Sequence, residues 1–245
     1  AIGMAMRLII AGDADMMICG GTEASVTPLT IAGFANMRAL SQSCDEPAKA
    51  SRPFEKDRNG FVLGEGAGIL VIETESHAKN RGATILAELA GYGSTDDAFH
   101  VTQPAMGGTG ALKAMERAIV DAGLQITDID YINAHGTSTP LNDKMEMRAI
   151  RELFGEHADH LMVSSTKSQV GHLLGASGAV ELAAIAVGIR EGVVPATINQ
   201  VDPDPECDLD SVPNEPREAP IRVAISNSFG FGGHDACLCL GKFED

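Results

Sequence analysis

Two histidines in this chain stand in glycine-bracketed turns, and their neighbours are the residue types that polar chemistry uses. His135 lies in Asn133-Ala-His-Gly-Thr-Ser-Thr-Pro140, and His172 in Ser165-Thr-Lys-Ser-Gln-Val-Gly-His-Leu-Leu-Gly-Ala-Ser-Gly178. Each follows a short apolar run, and the second opens a long apolar helix. Such an arrangement can carry two imidazoles from the ends of two strands to one point. Two neutral imidazole N–H groups converging there suit a developing oxyanion. The flanking glycines let backbone or substrate come close. Thr137 and Thr139 would present hydroxyls on one side if that stretch is extended, a pattern suited to an amide-bearing ligand. Lys167 falls in the turn before the second helix and Glu181 about two turns inside it. As a buried pair they would hold the imidazole in orientation; as an exposed pair they would contribute little. Asn227-Ser-Phe-Gly-Phe-Gly-Gly233 has the form of a turn that closes a pocket. No nucleophile stands beside the histidines.

The other titratable residues read more plainly. His77, His100, His157 and His160 are expected on the surface or in the core. His157-x-x-His160 has no third ligand nearby and lies in a turn, so no metal is expected. The five cysteines, Cys19, Cys44, Cys207, Cys237 and Cys239, are odd in number and form no Cys-x-x-Cys pair. They point to free thiols in a reducing compartment. Cys19, Cys237 and Cys239 sit in strand-like apolar runs and read as core filler.

The elements that must position these residues alternate between helix and strand, which makes the chain α/β. An opening helix over 1–12 leads to an apolar strand at 16–20, closed by Gly-Gly and expected to be buried on both faces. Residues 28–60 read as irregular. Gly64-x-Gly66-x-Gly68 precedes a strand where a phosphate loop needs a helix, so close backbone packing is expected there. A short helix over 74–82, a strand over 85–92 and an amphipathic helix over 109–123 follow. Then come strands at 129–133 and 161–165 around a helix near 143–154. A helix from about 173 to 190, a strand at 194–198, a Pro/Asp-rich loop at 202–220 and two strands at 222–226 and 236–240 complete the order. Residues 1–21 and 178–198 echo one another as helix, small turn and apolar strand, which predicts two related central helices side by side.

Composition narrows the function classes. The 245 residues are 44% hydrophobic, with no Trp and 27 Gly, so the core must be aliphatic and closely packed. A net charge of −16 excludes nucleic acid as the main partner, while leaving room for a local basic patch. No stretch is long and apolar enough to cross a membrane, so no membrane partner is expected.

The three long motifs, in this order, together with Ser51-Arg-Pro-Phe and Gly60-Phe-Val-Leu-Gly-Glu-Gly-Ala-Gly, resemble the β-ketoacyl-acyl-carrier-protein synthases, most closely the elongating type I/II enzymes. The resemblance spans essentially the whole chain. It implies a thiolase-like fold of two related α/β halves in five layers, α-β-α-β-α. Residues 1–82 would be the tail of the first half and 83–245 a nearly complete second half. It implies fatty-acid chain elongation by decarboxylative Claisen condensation, an acyltransferase reaction. His135 and His172 would promote decarboxylation and stabilise the enolate, and Lys167 and Glu181 would support them. Thr137 and Thr139 would contact the pantetheine, Phe229 and Phe231 would form an aromatic gate, and Arg38 would face the carrier protein. No cofactor is implied, since substrates ride on the phosphopantetheine of acyl carrier protein. That protein is the implied partner, with a second copy of the chain for the full-length form. Bacterial cytosol, mitochondrial matrix and plastid all fit.

Several departures qualify the resemblance. Asn142 stands where a glycine is usual, and Asp235 where an asparagine usually follows Gly-Gly-x; either can shift loop geometry. The family's nucleophilic cysteine would precede the opening helix, and none of the five cysteines here occupies such a place. The expectation is therefore a C-terminal portion that cannot condense substrates by itself. A polyketide ketosynthase domain, a thiolase and a nucleophile-free scaffold subunit are the competing readings. The Asn-Ala-His and Ser-Thr-Pro spelling favours the fatty-acid branch, and retention of both histidines and Lys167 speaks against a scaffold.

Overall fold

The computed structural model describes residues 1–244. Helix α1 (Ile2–Ile10) precedes β1 (Met16–Glu23), α2 (Pro28–Asn36), β2 (Gly66–Glu73), α3 (Glu75–Asn80), β3 (Glu88–Asp96) and α4 (Thr109–Asp121). The chain continues through β4 (Tyr131–Asn133), α5 (Pro140–Phe154), β5 (Met162–Ser164), α6 (Lys167–Val170) and α7 (Ser177–Glu191). It closes with β6 (Val193–Val194), β7 (Arg217–Glu218), β8 (Val223–Phe229) and β9 (His234–Gly241).

A mixed sheet of order β3-β9-β8-β4-β5 dominates, with β8, β4 and β5 parallel and β9 antiparallel to both of its neighbours. Strand alternation splits its side chains between two cores. Ile132, Ile225, Cys237 and Cys239 face α4 and α5, whereas Tyr131, Ala224 and Leu240 face α7 and Ile2 of α1. On the far side of α1 and α7 lies the antiparallel β1–β2 ribbon. The described residues thus stack as ribbon, helices, sheet and helices. Ile2 of α1 and the buried face of α7 belong to one core.

Strand β3 comes this close to α4 only because it is glycine-rich. A Cβ on Gly93 would lie 2.1 Å from the Ala114 carbonyl oxygen. Gly93→Ala is expected to cost about 1–3 kcal/mol through overpacking, read as a lower urea midpoint.

Some elements differ from the sequence expectation. Strand β1 runs through its Gly-Gly to Glu23, because both glycines pair with β2. It is not buried on both faces: Ile18 is 68% exposed, and Ile69 and Val71 beside it are also open, since α1 and α7 cover one side only. Helix α2 lies within the stretch read as irregular; Thr27 caps it and Pro28 opens it, a start signal the apolar pattern concealed. The long apolar helix begins at Ser177, not 173, because a 3₁₀ turn over Leu174–Ala176 intervenes. Strand β3 starts at Glu88, three residues late. Among the described residues no helix is long and apolar enough to cross a membrane.

Candidate active site

The three parallel strands β4, β5 and β8 all end toward one cavity, and their C-terminal loops carry the motif residues, as open α/β sheets commonly arrange them. The cavity holds about 750 Å³ and is lined by His135, His172, Thr137, Thr139, Phe229, Phe231 and Arg38 among others. The two imidazoles meet edge to face, with ring centroids 5.2 Å apart. His135 also lies 5.7 Å from the Phe229 ring, and His172 packs 5.3 Å from Phe61.

Each histidine is fixed through its backbone. The His135 and Gly136 N–H groups donate to the two carboxylate oxygens of Glu146, both at 2.8 Å. Glu146 is fully buried on α5 and also receives the side-chain amides of Asn142 and Asn227. His172 is held by residues 62–64: its N–H donates to the Val62 carbonyl at 2.7 Å, and its carbonyl accepts from Gly64 at 3.0 Å. That approach explains the glycine-rich stretch, since a Cβ on Gly64 would lie 2.6 Å from the Val170 carbonyl oxygen.

The protonation states follow from surroundings. Burial, then the Lys167 charge, then His172 hold the His135 pKa well below the usual range. Burial and Lys167 push His172 down to about 3. Both rings are neutral at physiological pH. The Leu174 N–H donates to His172 Nδ1 at 3.2 Å, so the proton must sit on Nε2, leaving that N–H as donor. Ser177 Oγ lies 3.1 Å from the same Nδ1 and accepts from Leu173 N–H. A neutral imidazole of fixed tautomer donates to an oxyanion without giving up its proton.

Lys167 and Glu181 form the buried pair, Nζ to Oε1 at 2.5 Å, with side chains 1% and 3% exposed. Thr137 and Thr139 hydroxyls lie 2.8 Å apart. Thr139 has a second duty as the N-cap of α5, accepting from Asn142 N–H. Asn142, one of the two departures, is absorbed as a donor to Glu146 and Asp143. Phe229 is buried against His135, while Phe231 is half exposed at the mouth beside Phe34. Arg38 lies exposed on the rim.

Three contributors lie outside the three long motifs. Glu146 sits on the buried helical face shared by Asn142, Asp143 and Ile150, and an acid among such positions is the signal that finds it. Phe61 stands in the glycine-rich stretch without a chemical group to mark it. Arg58, buried, donates to the Thr139 carbonyl and pairs with Asp143 and Asp204, so it clamps the threonine turn. Among the described residues no group of three or more His, Cys, Asp or Glu could hold a metal ion.

None of the five cysteines lines the cavity. Burial pushes Cys207 and Cys239 up to about 12 and raises Cys237 well above the usual thiol range. The His157 and His160 rings lie tilted to one another with centroids 6.2 Å apart, and His157 bonds the Ile129 carbonyl, away from the cavity.

Comparison with known proteins agrees with this geometry. Residues 1–78 match the family model described as beta-ketoacyl synthase, N-terminal domain, and residues 86–201 match its C-terminal domain. The chain is 55% identical over 244 residues to 3-oxoacyl-[acyl-carrier-protein] synthase 2 of Synechocystis sp. and, equally, to that of Staphylococcus aureus. In each case all of this chain is covered, and it spans 59% of the relative's length. A solved structure of a type II PKS acyl-carrier protein in complex with its ketosynthase bound to the hexaketide superposes with a TM-score of 0.97 at 40% identity, covering 99% of this chain and 60% of that one. A beta-ketoacyl synthase from Burkholderia phymatum gives 0.94 at 39% identity, covering 100% and 59%. With both family models matched in order and the thiolase-like fold of these ketosynthases reproduced, the chain belongs to the beta-ketoacyl synthase family.

Proposed function

We propose that this chain carries the malonyl-activating side of a 3-oxoacyl-acyl-carrier-protein synthase that elongates fatty acids. The convergence of two neutral, backbone-pinned imidazoles on one cavity carries this reading. With the malonyl thioester carbonyl between them, the bond to the carboxylate breaks and CO₂ leaves. The electron pair moves onto the thioester oxygen, which the two N–H donors stabilise as an enolate. Its C2 then attacks an acyl thioester, forming the new carbon–carbon bond and expelling a thiolate. Thr137 and Thr139 would hold the pantetheine amides, Phe229 would exclude water, and Lys167 with Glu181 would keep His172 in place. Residues 1–82 and 83–245 would contribute as two related units, Phe61 from the first touching His172 of the second.

Acyl carrier protein is the proposed partner, with Arg38 at the cavity rim as its contact. A similar solved ketosynthase is described in complex with an acyl-carrier protein. A second copy of the chain is the further proposed partner. The reading involves no cofactor or metal. Its identity to two bacterial synthases 2 favours fatty-acid over polyketide substrates.

Decarboxylation needs the oxyanion donors but not the nucleophile, so the two can be separated. Malonyl carrier protein incubated with the chain should release CO₂, whereas acyl carrier protein should leave every cysteine unmodified by intact mass. Absence of CO₂ release from a folded sample would overturn the function; an acylated cysteine would overturn the assignment of the nucleophile outside these five.

A further inference from the structure

Asp235, where the family pattern resembled above has asparagine, borders the cavity just after the Phe-Gly turn. It is 7% exposed. Among the described residues nothing donates a hydrogen bond to its carboxylate, and no cation faces it. Asp96 and Asp97 face it from the end of β3, and Glu146 from α5. On α4 a Cβ at Gly110 would lie 2.3 Å from Asp235 Oδ2 and 3.1 Å from Asp97 Cβ, so the two acids meet at one point of the helix. Its register partners are Thr95 on β3 and Phe229 on β8, neither of them charged. Its own neighbour His234 pairs instead with Asp96, at 3.2 Å.

Asp97 is the element that ties the turn down. Its carboxylate accepts from the Phe99 and Ala105 N–H groups, shaping the 97–105 loop. Its own N–H donates to the Gly233 carbonyl at 3.0 Å, and Gly232 N–H donates to the Val101 carbonyl at 2.8 Å. Loop and turn are in contact, since a Cβ on Gly233 would lie 2.1 Å from Asp97 Oδ1. Both oxygens of Asp97 are engaged in holding the loop, so a charge on Asp235 meets a carboxylate that cannot turn away.

We propose that Asp235 is a positioning residue for the aromatic gate: as a neutral acid it lets the Phe229–Gly233 turn lie closed on the 97–105 loop, and as a carboxylate it repels Asp97 and loosens both. Burial, then Asp97, Glu146 and Asp96, raise its pKa to about 7, so the change falls in the neutral range. The sign follows from a raised pKa: closure is fully present at low pH and is lost as pH rises through the folded value. An asparagine at this position would give a gate indifferent to pH. That the loosened gate admits a malonyl thioester rests on the function proposed above; the latch itself does not.

Amide hydrogen exchange of the intact chain, without substrate, tests the latch. Exchange of segments 97–105 and 229–235 is followed at about pH 6 and about pH 8.5 and corrected for intrinsic rates. Protection in the wild type should fall by about tenfold or more at the higher pH. In Asp235→Asn it should stay high at both, and in Glu146→Gln the response should persist with its midpoint moved to lower pH, one of the charges that raises the Asp235 pKa being gone. A pH-indifferent wild type, or an undiminished response in Asp235→Asn, overturns the proposal. Loss of the response in Glu146→Gln with retention in Asp235→Asn assigns it to Glu146 and overturns it equally. Failure of CO₂ release would leave these outcomes readable.

Discussion

Lys167→Met, with Glu181 left in place, should destabilise the fold by about 3–5 kcal/mol, seen as a large drop in the urea midpoint at neutral pH. The magnitude follows from burial. With the lysine and its partner 1% and 3% exposed, removing the cation leaves a carboxylate that water cannot reach. The second oxygen of Glu181 is already buried without a partner among the described residues, so no other donor can take over. The double exchange Lys167→Met/Glu181→Leu should recover most of the loss, because an apolar pair of similar volume avoids desolvating two charges. It should not recover decarboxylation, if the pair orients His172 as proposed. A spectroscopic reading accompanies the single variant: without the lysine charge the His172 pKa moves upward from about 3, burial still holding it below the usual range. A Lys167→Met protein as stable as wild type would refute the buried pair.

His172→Ala should lower CO₂ release from malonyl carrier protein by about 10²–10³-fold, the usual loss when one oxyanion donor is removed. His135→Ala should lose a similar factor, and the double variant less than the product, because two donors to one oxygen act as a unit. His172→Gln, which can present an N–H near the same point, should keep more activity than alanine. The rate of the wild type should be flat from about pH 6 to 8 as far as the imidazoles are concerned, since neither charges in that range. Unchanged CO₂ release in His172→Ala would remove this residue from the oxyanion role.

Much of this site could be read from the chain because its chemistry is concentrated in short continuous motifs. His135, Thr137 and Thr139 share one turn after β4, and Asn227 through Phe231 share the end of β8. Strand–turn–helix grammar places such segments at one edge of a sheet, so spacing alone brought them together. The Lys167–Glu181 pair is legible for the same reason, the two lying within one continuous motif, at the start of α6 and in the second turn of α7. What stayed hidden depends on contacts between distant segments. Glu146 looks like any helical acid until the His135 and Gly136 amides arrive on it. Phe61 and Arg58 belong to a stretch with little regular structure, and their value lies wholly in what they touch. The open face of β1 is not legible because an apolar strand signals burial without saying whether one side or two is covered. Helix α2, with no buried residue, lacks the amphipathic stripe that marks a helix from its pattern.

The bridge between Leu63 and His172 makes the order of assembly part of the chemistry. The two segments lie roughly a hundred residues apart and meet in a single isolated bridge, whereas β3 and β9, farther apart in the chain, pair along their whole length and reinforce one another. A chain that has formed its large sheet but not this bridge would have His135 ready and His172 adrift. Under the function proposed, recovery of decarboxylation during refolding should therefore lag behind recovery of secondary structure, with the second histidine the later of the two to be placed.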